Sequence, residues 1–373
     1  MKKLIALLCL LSLLAALFAG CAKTGTLPGT EPASETASET AAPTEPTPET
    51  EEPTPETEAP TPETEEPTPE TEAPTEPVEI DPEVHPMLFR VTGADGQEMY
   101  LFGTIHVGDD RTTDALNRVL PYLETCDALA VEFNIAAYER DYDAQTRDMM
   151  QFVLTDGTTI EDYLDDDLYA RAGDLLEQAG LFPSMMRQFN LAMWSQLVEQ
   201  AALMTTCTDL DFGGGMDRQL IAWCEDRGIE VRDVESSELQ YGLLAGFPDE
   251  LNVLMIEHTL DNLDTYAEGV HELYEAWLKG DYDEILALAK SEEEDEEGEY
   301  TPEQIAMVED YNYQMLDNRN LGMRDKAVQW LEAGDKVFFA VGAAHLVDDM
   351  GLVNLLRQAG YTVEQIEGAS ANE

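Results

Sequence analysis

The sequence predicts an α/β domain over residues 81–373, with a mostly parallel central sheet, a site at the strand ends and an extensive helical layer or lid. Three observations predict it. Short apolar runs alternate with helical patterns, the signature of strand–helix–strand units that build a parallel sheet. The helical stretches at 136–205 and 236–333 are too extensive for simple crossovers, so they form the additional layer. Several strand patterns end on a histidine or a glutamate, and an open parallel sheet lines its ligand crevice with the carboxyl ends of its strands.

The elements follow in chain order. Lys2 and Lys3 precede an almost wholly apolar run from Leu4 to Phe18, and Ala19-Gly20-Cys21 supplies small residues before a cysteine. This layout predicts a secretory signal over residues 1–20. The run falls short of the roughly 20 apolar residues that span a bilayer comfortably. Its ending resembles the lipobox of bacterial lipoproteins, which makes Cys21 the lipidated new N-terminus. The alternative is an uncleaved membrane anchor, and either one places the domain on the extracytoplasmic face of the cell membrane.

Residues 21–80 are expected to be the lipidated cysteine and a disordered tether. A seven-residue unit, Pro-Thr-Pro-Glu-Thr-Glu-(Glu/Ala), starts at Pro46, Pro53, Pro60 and Pro67. Such a unit has no packing face to offset its ordering entropy. The chain carries a net charge of -58. With the -15 of the tether and the +2 of Lys2 and Lys3 set aside, residues 81–373 carry -45. That charge repels phosphate backbones and excludes nucleic acid as a partner. Cys126, Cys207 and Cys224 follow no C-x-x-C spacing and are read as three buried thiols.

In the globular part, Met87–Val91 and Met99–Ile105 flank Gly93-Ala94-Asp95-Gly96 and read as a hairpin. Further strands are read at Ala128–Phe133, Ile229–Val234, Lys336–Val341 and Tyr361–Ile366. Helices are read at Thr113–Glu124, Ala136–Val153, Met216–Arg227, Leu251–Lys279, Pro302–Ala333 and Gly351–Ala359. The acidic run Ser291–Glu299 reads as a solvated loop.

Two of the five histidines share one local frame: Gly103-Thr104-Ile105-His106 and Gly342-Ala343-Ala344-His345, each closing an apolar strand. Glycine there permits a tight turn or a close backbone approach. Glu132 closes Ala-Leu-Ala-Val, and Glu235 closes Val-Arg-Asp-Val. Four strand ends thus deliver two imidazoles and two carboxylates to one place, a donor set that suits zinc, manganese, iron or cobalt. No H-E-x-x-H helix, G-x-S-x-G elbow or Walker loop is present. Gly213-Gly214-Gly215 reads as a flexible entry to the helix at Met216.

At these residues the sequence resembles the TraB/PrgY/GumN family, whose animal relatives, the Tiki proteins, are membrane-tethered metalloproteases. The matching stretches are LFGTIHVG at Leu101–Gly108, AVEF at Ala130–Phe133, the segment Gly215–Glu235, and the segment Asp317–Ile366. The resemblance implies that His106, Glu132 and His345 hold a divalent metal ion. It also marks Asp217, Glu235 and Arg319 as site residues. On that footing Glu235 or Asp217 is the expected general base, and Arg319 the donor to a developing oxyanion. The expected function is a membrane-tethered, extracytoplasmic metal-dependent hydrolase, a peptidase acting on peptides or proteins. The alternative is a non-catalytic surface protein that sequesters a peptide or a metal-bearing cofactor.

Overall fold

The computed structural model describes residues 80–211, 214–290 and 300–366. The expected signal, Cys21, the tether to residue 79, Gly213 and the acidic run 291–299 lie outside the described residues. Six strands form one sheet: β1 (Leu88–Thr92), β2 (Glu98–Thr104), β3 (Ala128–Val131), β4 (Glu230–Asp233), β5 (Val337–Gly342) and β6 (Thr362–Gln365). Their spatial order is β4-β3-β5-β2-β1-β6.

The expected hairpin is present. Gly93 N–H donates to Gln97 O at 2.9 Å, and the turn passes through Gly96 at φ 85°. A side chain at Gly96 would be strained in that left-handed conformation. The turn sets the register, with Leu88 opposite Phe102 and Thr92 opposite Glu98.

The expectation of a mostly parallel sheet needs correcting, because the sheet is mixed. β4, β3, β5 and β2 pair in parallel, whereas β1 is antiparallel to both β2 and β6. The cause is local. A tight turn forces β1 antiparallel to β2, and the last strand then closes the free edge of β1 instead of joining the parallel block.

β3 and β5 are buried at every position. Both are near-continuous apolar runs, as a strand covered by helices on both faces requires. The helical layer is organised around Leu191–Thr206, in which every residue from Leu191 to Leu203 is buried. Helices Asp166–Gln178, Asp249–Asp261 and Leu263–Lys279 pack against it. Two expected long helices are interrupted. Asp141 ends Ile135–Arg140 and caps Tyr142–Met149 through its side chain, while Asn262 separates Asp249–Asp261 from Leu263–Lys279. The expected helix 302–333 contains a π-turn at Tyr313–Asp317, between Pro302–Asn312 and Asn318–Ala333.

The three thiols are unpaired; Cys207 and Cys224 are buried and Cys126 is half-buried. Among the described residues no helix is long and apolar enough to cross a membrane.

Candidate functional site

The four parallel strands end side by side, and each delivers one of the expected residues. Across the sheet the order is Glu235 after β4, Glu132 after β3, His345 after β5 and His106 after β2. Adjacent ends are stitched by the backbone. Thr104 is in register with Gly342, Glu235 N–H donates to Glu132 O at 2.8 Å, and Gly342 N–H donates to Glu132 Oε1 at 2.9 Å.

His106 leaves β2 against the start of helix Met216–Arg227, where Met216 N–H donates to Ile105 O at 2.9 Å. A Cβ on Gly215 would lie 2.5 Å from His106 O, so this junction needs glycine. The contact brings Asp217, in the first turn of the helix, to the imidazole. Asp217 Oδ2 lies 2.9 Å from His106 Nδ1, off the hydrogen-bond line, and Oδ1 accepts from Thr104 Oγ1 at 2.7 Å. Burial disfavours a charged His106, but the carboxylates of Asp217 and Glu132 outweigh it and raise its pKa above 6.5. With Nδ1 turned to an acceptor, Nε2 is left for another partner.

His345 sits in the one-turn 3₁₀ segment Ala343–His345 and is 1 % exposed. Its Nδ1 lies 2.6 Å from Asn320 Oδ1, and its Nε2 is 3.7 Å from Glu132 Oε1 with no hydrogen-bond partner. Burial pushes the His345 pKa down to about 3, and the Arg319 charge acts in the same direction. The ring is therefore neutral near pH 7.

Glu132 and Glu235 are joined by Arg319, which is 4 % exposed. Arg319 Nη2 donates to Glu132 Oε2 at 2.5 Å and to Glu235 Oε2 at 2.6 Å, and Nε reaches both Glu235 oxygens at 3.0 and 3.1 Å. Its Nη1 donates to Met315 O, a carbonyl of the π-turn, at 3.1 Å. Burial alone would raise the Glu132 pKa, yet it stands well below the carboxylate range. Because His345 is neutral, the Arg319 guanidinium carries most of that effect, helped by His106 and the Gly342 N–H. Gln240 completes the cluster, with Nε2 donating to Glu132 Oε2 at 3.0 Å and to Glu235 Oε2 at 2.9 Å. Its Oε1 is buried without a partner.

The structure thus brings all six expected residues to one end of the sheet. His106, Glu132 and His345 are near enough to perturb one another's titration. Asp217 stands behind His106, and Arg319 directs its donors to the two glutamates and Met315 O. Gln240 and Asn320 were not anticipated. Each is a polar residue inside a helical pattern, a signal that sequence periodicity reads as an exposed face.

Among the described residues, no three His, Cys, Asp or Glu side chains form a ready-made metal cage. The donor chemistry nonetheless fits a cation. His345 Nε2 and Gln240 Oε1, both buried and unpartnered, are acceptors once their other contacts are satisfied, and Glu132 Oε1 faces the first of them. Two acceptors that face each other without a proton between them, His345 Nε2 and Glu132 Oε1, suit an electron-poor group.

A model of the TraB/PrgY/gumN family matches residues 87–365, from the start of the hairpin to the last strand. No curated protein and no solved structure matches the chain. The match spans every element that builds the site, and the chain belongs to the TraB/PrgY/gumN family.

Proposed function

We propose that this protein is a membrane-tethered, extracytoplasmic metal-dependent hydrolase that cleaves peptides or proteins. One observation carries the reading: His345 has Nδ1 against the acceptor Asn320 Oδ1 and its Nε2 buried and unpartnered beside an ionised carboxylate, while His106 has the Asp217 carboxylate 2.9 Å from its Nδ1. Metal-ligating histidines are held in this way, by a partner on the far nitrogen.

His106 and His345 would hold the ion through Nε2, with Glu132 Oε1 as the third donor. A divalent ion bound there supplies Lewis acidity and makes water a nucleophile near neutral pH. Arg319 keeps Glu132 ionised and holds both Glu132 and Glu235 in place. Glu235, whose carboxylate is held by Arg319 and Gln240 next to Glu132, would take a proton from attacking water and return it to the leaving amine. Asp217 orients His106 and favours its charged form whenever no cation is bound.

The competing reading, a surface protein that sequesters a peptide or a metal-bearing cofactor, draws on one feature. Both oxygens of Glu132 already accept hydrogen bonds, which a binder tolerates more readily than a catalyst. The test is metal analysis of the full-length protein, followed by incubation with a peptide mixture with and without chelator. New peptide termini that vanish with chelator, and in His345→Ala, are expected. Peptide retained uncut would favour the binder.

A further inference from the structure

We propose that Asn320 is a positioning residue that fixes the tautomer of His345, holding its proton on Nδ1 and keeping Nε2 as a bare lone pair facing Glu132. The orientation of the Asn320 amide follows from its neighbours. Its Nδ2 lies 2.9 Å from Met350 O, a carbonyl that can only accept, so that end of the amide is the NH₂ group. Its other end, Oδ1, therefore faces His345 Nδ1 at 2.6 Å. An oxygen and a nitrogen lone pair cannot meet at that distance, so Nδ1 must carry the proton.

The opposite side of the ring would choose differently by itself. Glu132 Oε1 lies 3.7 Å from Nε2. A proton on Nε2 would point at that carboxylate, and charge-assisted hydrogen bonds are roughly twice as strong as neutral ones. The distances decide between the two. At 3.7 Å no hydrogen bond forms, whereas the 2.6 Å contact would be a clash of acceptors without the proton.

The chain delivers this lock from a particular place. Arg319 and Asn320 are consecutive residues at the end of the π-turn, in helix Asn318–Ala333. Arg319 reaches the two glutamates and Asn320 reaches the imidazole. π-turns inside α-helices are frequent at functional sites, and this one aims a charge clamp and a tautomer lock from adjacent positions. Both Asn320 and His345 are buried, so water does not supply a substitute partner.

The metal consequence rests on the hydrolase reading above, while the tautomer does not. The test uses full-length protein with ¹⁵N-labelled histidine and long-range ¹H–¹⁵N correlation spectra without metal. His345 is identified among five histidines by the signals lost in His345→Gln. The wild type is expected to show the Nδ1–H tautomer. Asn320→Asp, which keeps the acceptor at Nδ1 although it gives up the donor to Met350 O, should retain it; Asn320→Leu should move the proton to Nε2. Competition titrations with cobalt(II) should then show about 10–100-fold weaker binding for Asn320→Leu and no comparable loss for Asn320→Asp. An Nε2–H signal for His345 in the wild type overturns the proposal, whether or not the leucine variant folds. So does Nδ1–H retained in Asn320→Leu. Should the tautomers behave as expected while the wild type binds no cobalt, the lock stands and the metal reading falls.

Discussion

Arg319 sets the charge state of the site, and its removal has a predictable cost. Glu132 and Glu235 share one guanidinium in a largely buried place, so truncation leaves two carboxylates uncompensated. Breaking a buried ion pair by removing one partner costs about 3–5 kcal/mol. Arg319→Met should lower the unfolding free energy by about that much in urea denaturation. Arg319→Lys should recover only part, because one ammonium cannot make the forked contacts to Glu132, Glu235 and Met315 O. A loss below about 1 kcal/mol would mean that solvent reaches the cluster. The metal reading yields a second set of variants. His345→Ala should lose metal and any peptidase activity together, while Glu235→Gln should keep more metal than activity. His258→Ala is the control: His258 is buried in helix Asp249–Asp261 with Nδ1 against Asn262, and it closes none of the strands, so it should lose stability without losing metal.

Helix Leu191–Thr206 carries a buried acid that the site does not use. Glu199 is 2 % exposed, its Oε1 has no partner, and burial pushes its pKa up to about 8. The sign follows directly. In the folded chain the carboxyl holds its proton up to that pH, while in the unfolded chain it ionises near the ordinary 4.5. Stability is thus fully present below about pH 4.5 and is lost as pH rises through about 8, by on the order of 3 kcal/mol at pH 7. Glu199→Gln keeps the shape and removes the titration. It should match the wild type near pH 4.5 and exceed it increasingly up to about pH 8 in denaturant unfolding. Equal slopes in the two chains would show that Glu199 ionises in the folded protein. At this scale the sequence was most legible where pattern and environment agree. β3 and β5 are apolar throughout because both faces are covered, and the hairpin declared itself through its glycines. The breaks at Asp141 and Asn262 and the π-turn were hidden because polar and apolar periodicity runs on across them. The place of β6 was hidden too, since a strand pattern does not say which edge it will close. Of the site, the four strand-end residues were legible from their position. Gln240 and Asn320 were not, because only the folded chain shows that they point inward.

For the molecule as a whole, charge dominates. If Cys21 is the lipidated residue, Cys21→Ser should abolish lipid labelling and leave the precursor uncleaved; normal trimming and labelling would remove the anchor from the picture. The domain itself makes a physical prediction that needs no ligand. Residues 81–373 hold 62 acidic against 17 basic side chains, so most carboxylates have no cation to pair with. Salt acts on this surface in two opposing ways. It weakens exposed pairs such as Arg140–Glu225 and Arg187–Glu161, which solvent already screens. It also screens the repulsion among the surplus carboxylates, which destabilises the compact state. The surplus is far larger than the number of pairs that 17 cations can make, so screening of repulsion should win. The Debye length falls from about 30 Å at 0.01 M to about 8 Å at 0.15 M, which covers the spacing of neighbouring surface carboxylates. The urea midpoint of the protein should therefore rise across that range of sodium chloride with little change in slope. A falling midpoint would show that the arginine pairs, not the uncompensated acids, govern the stability of this surface.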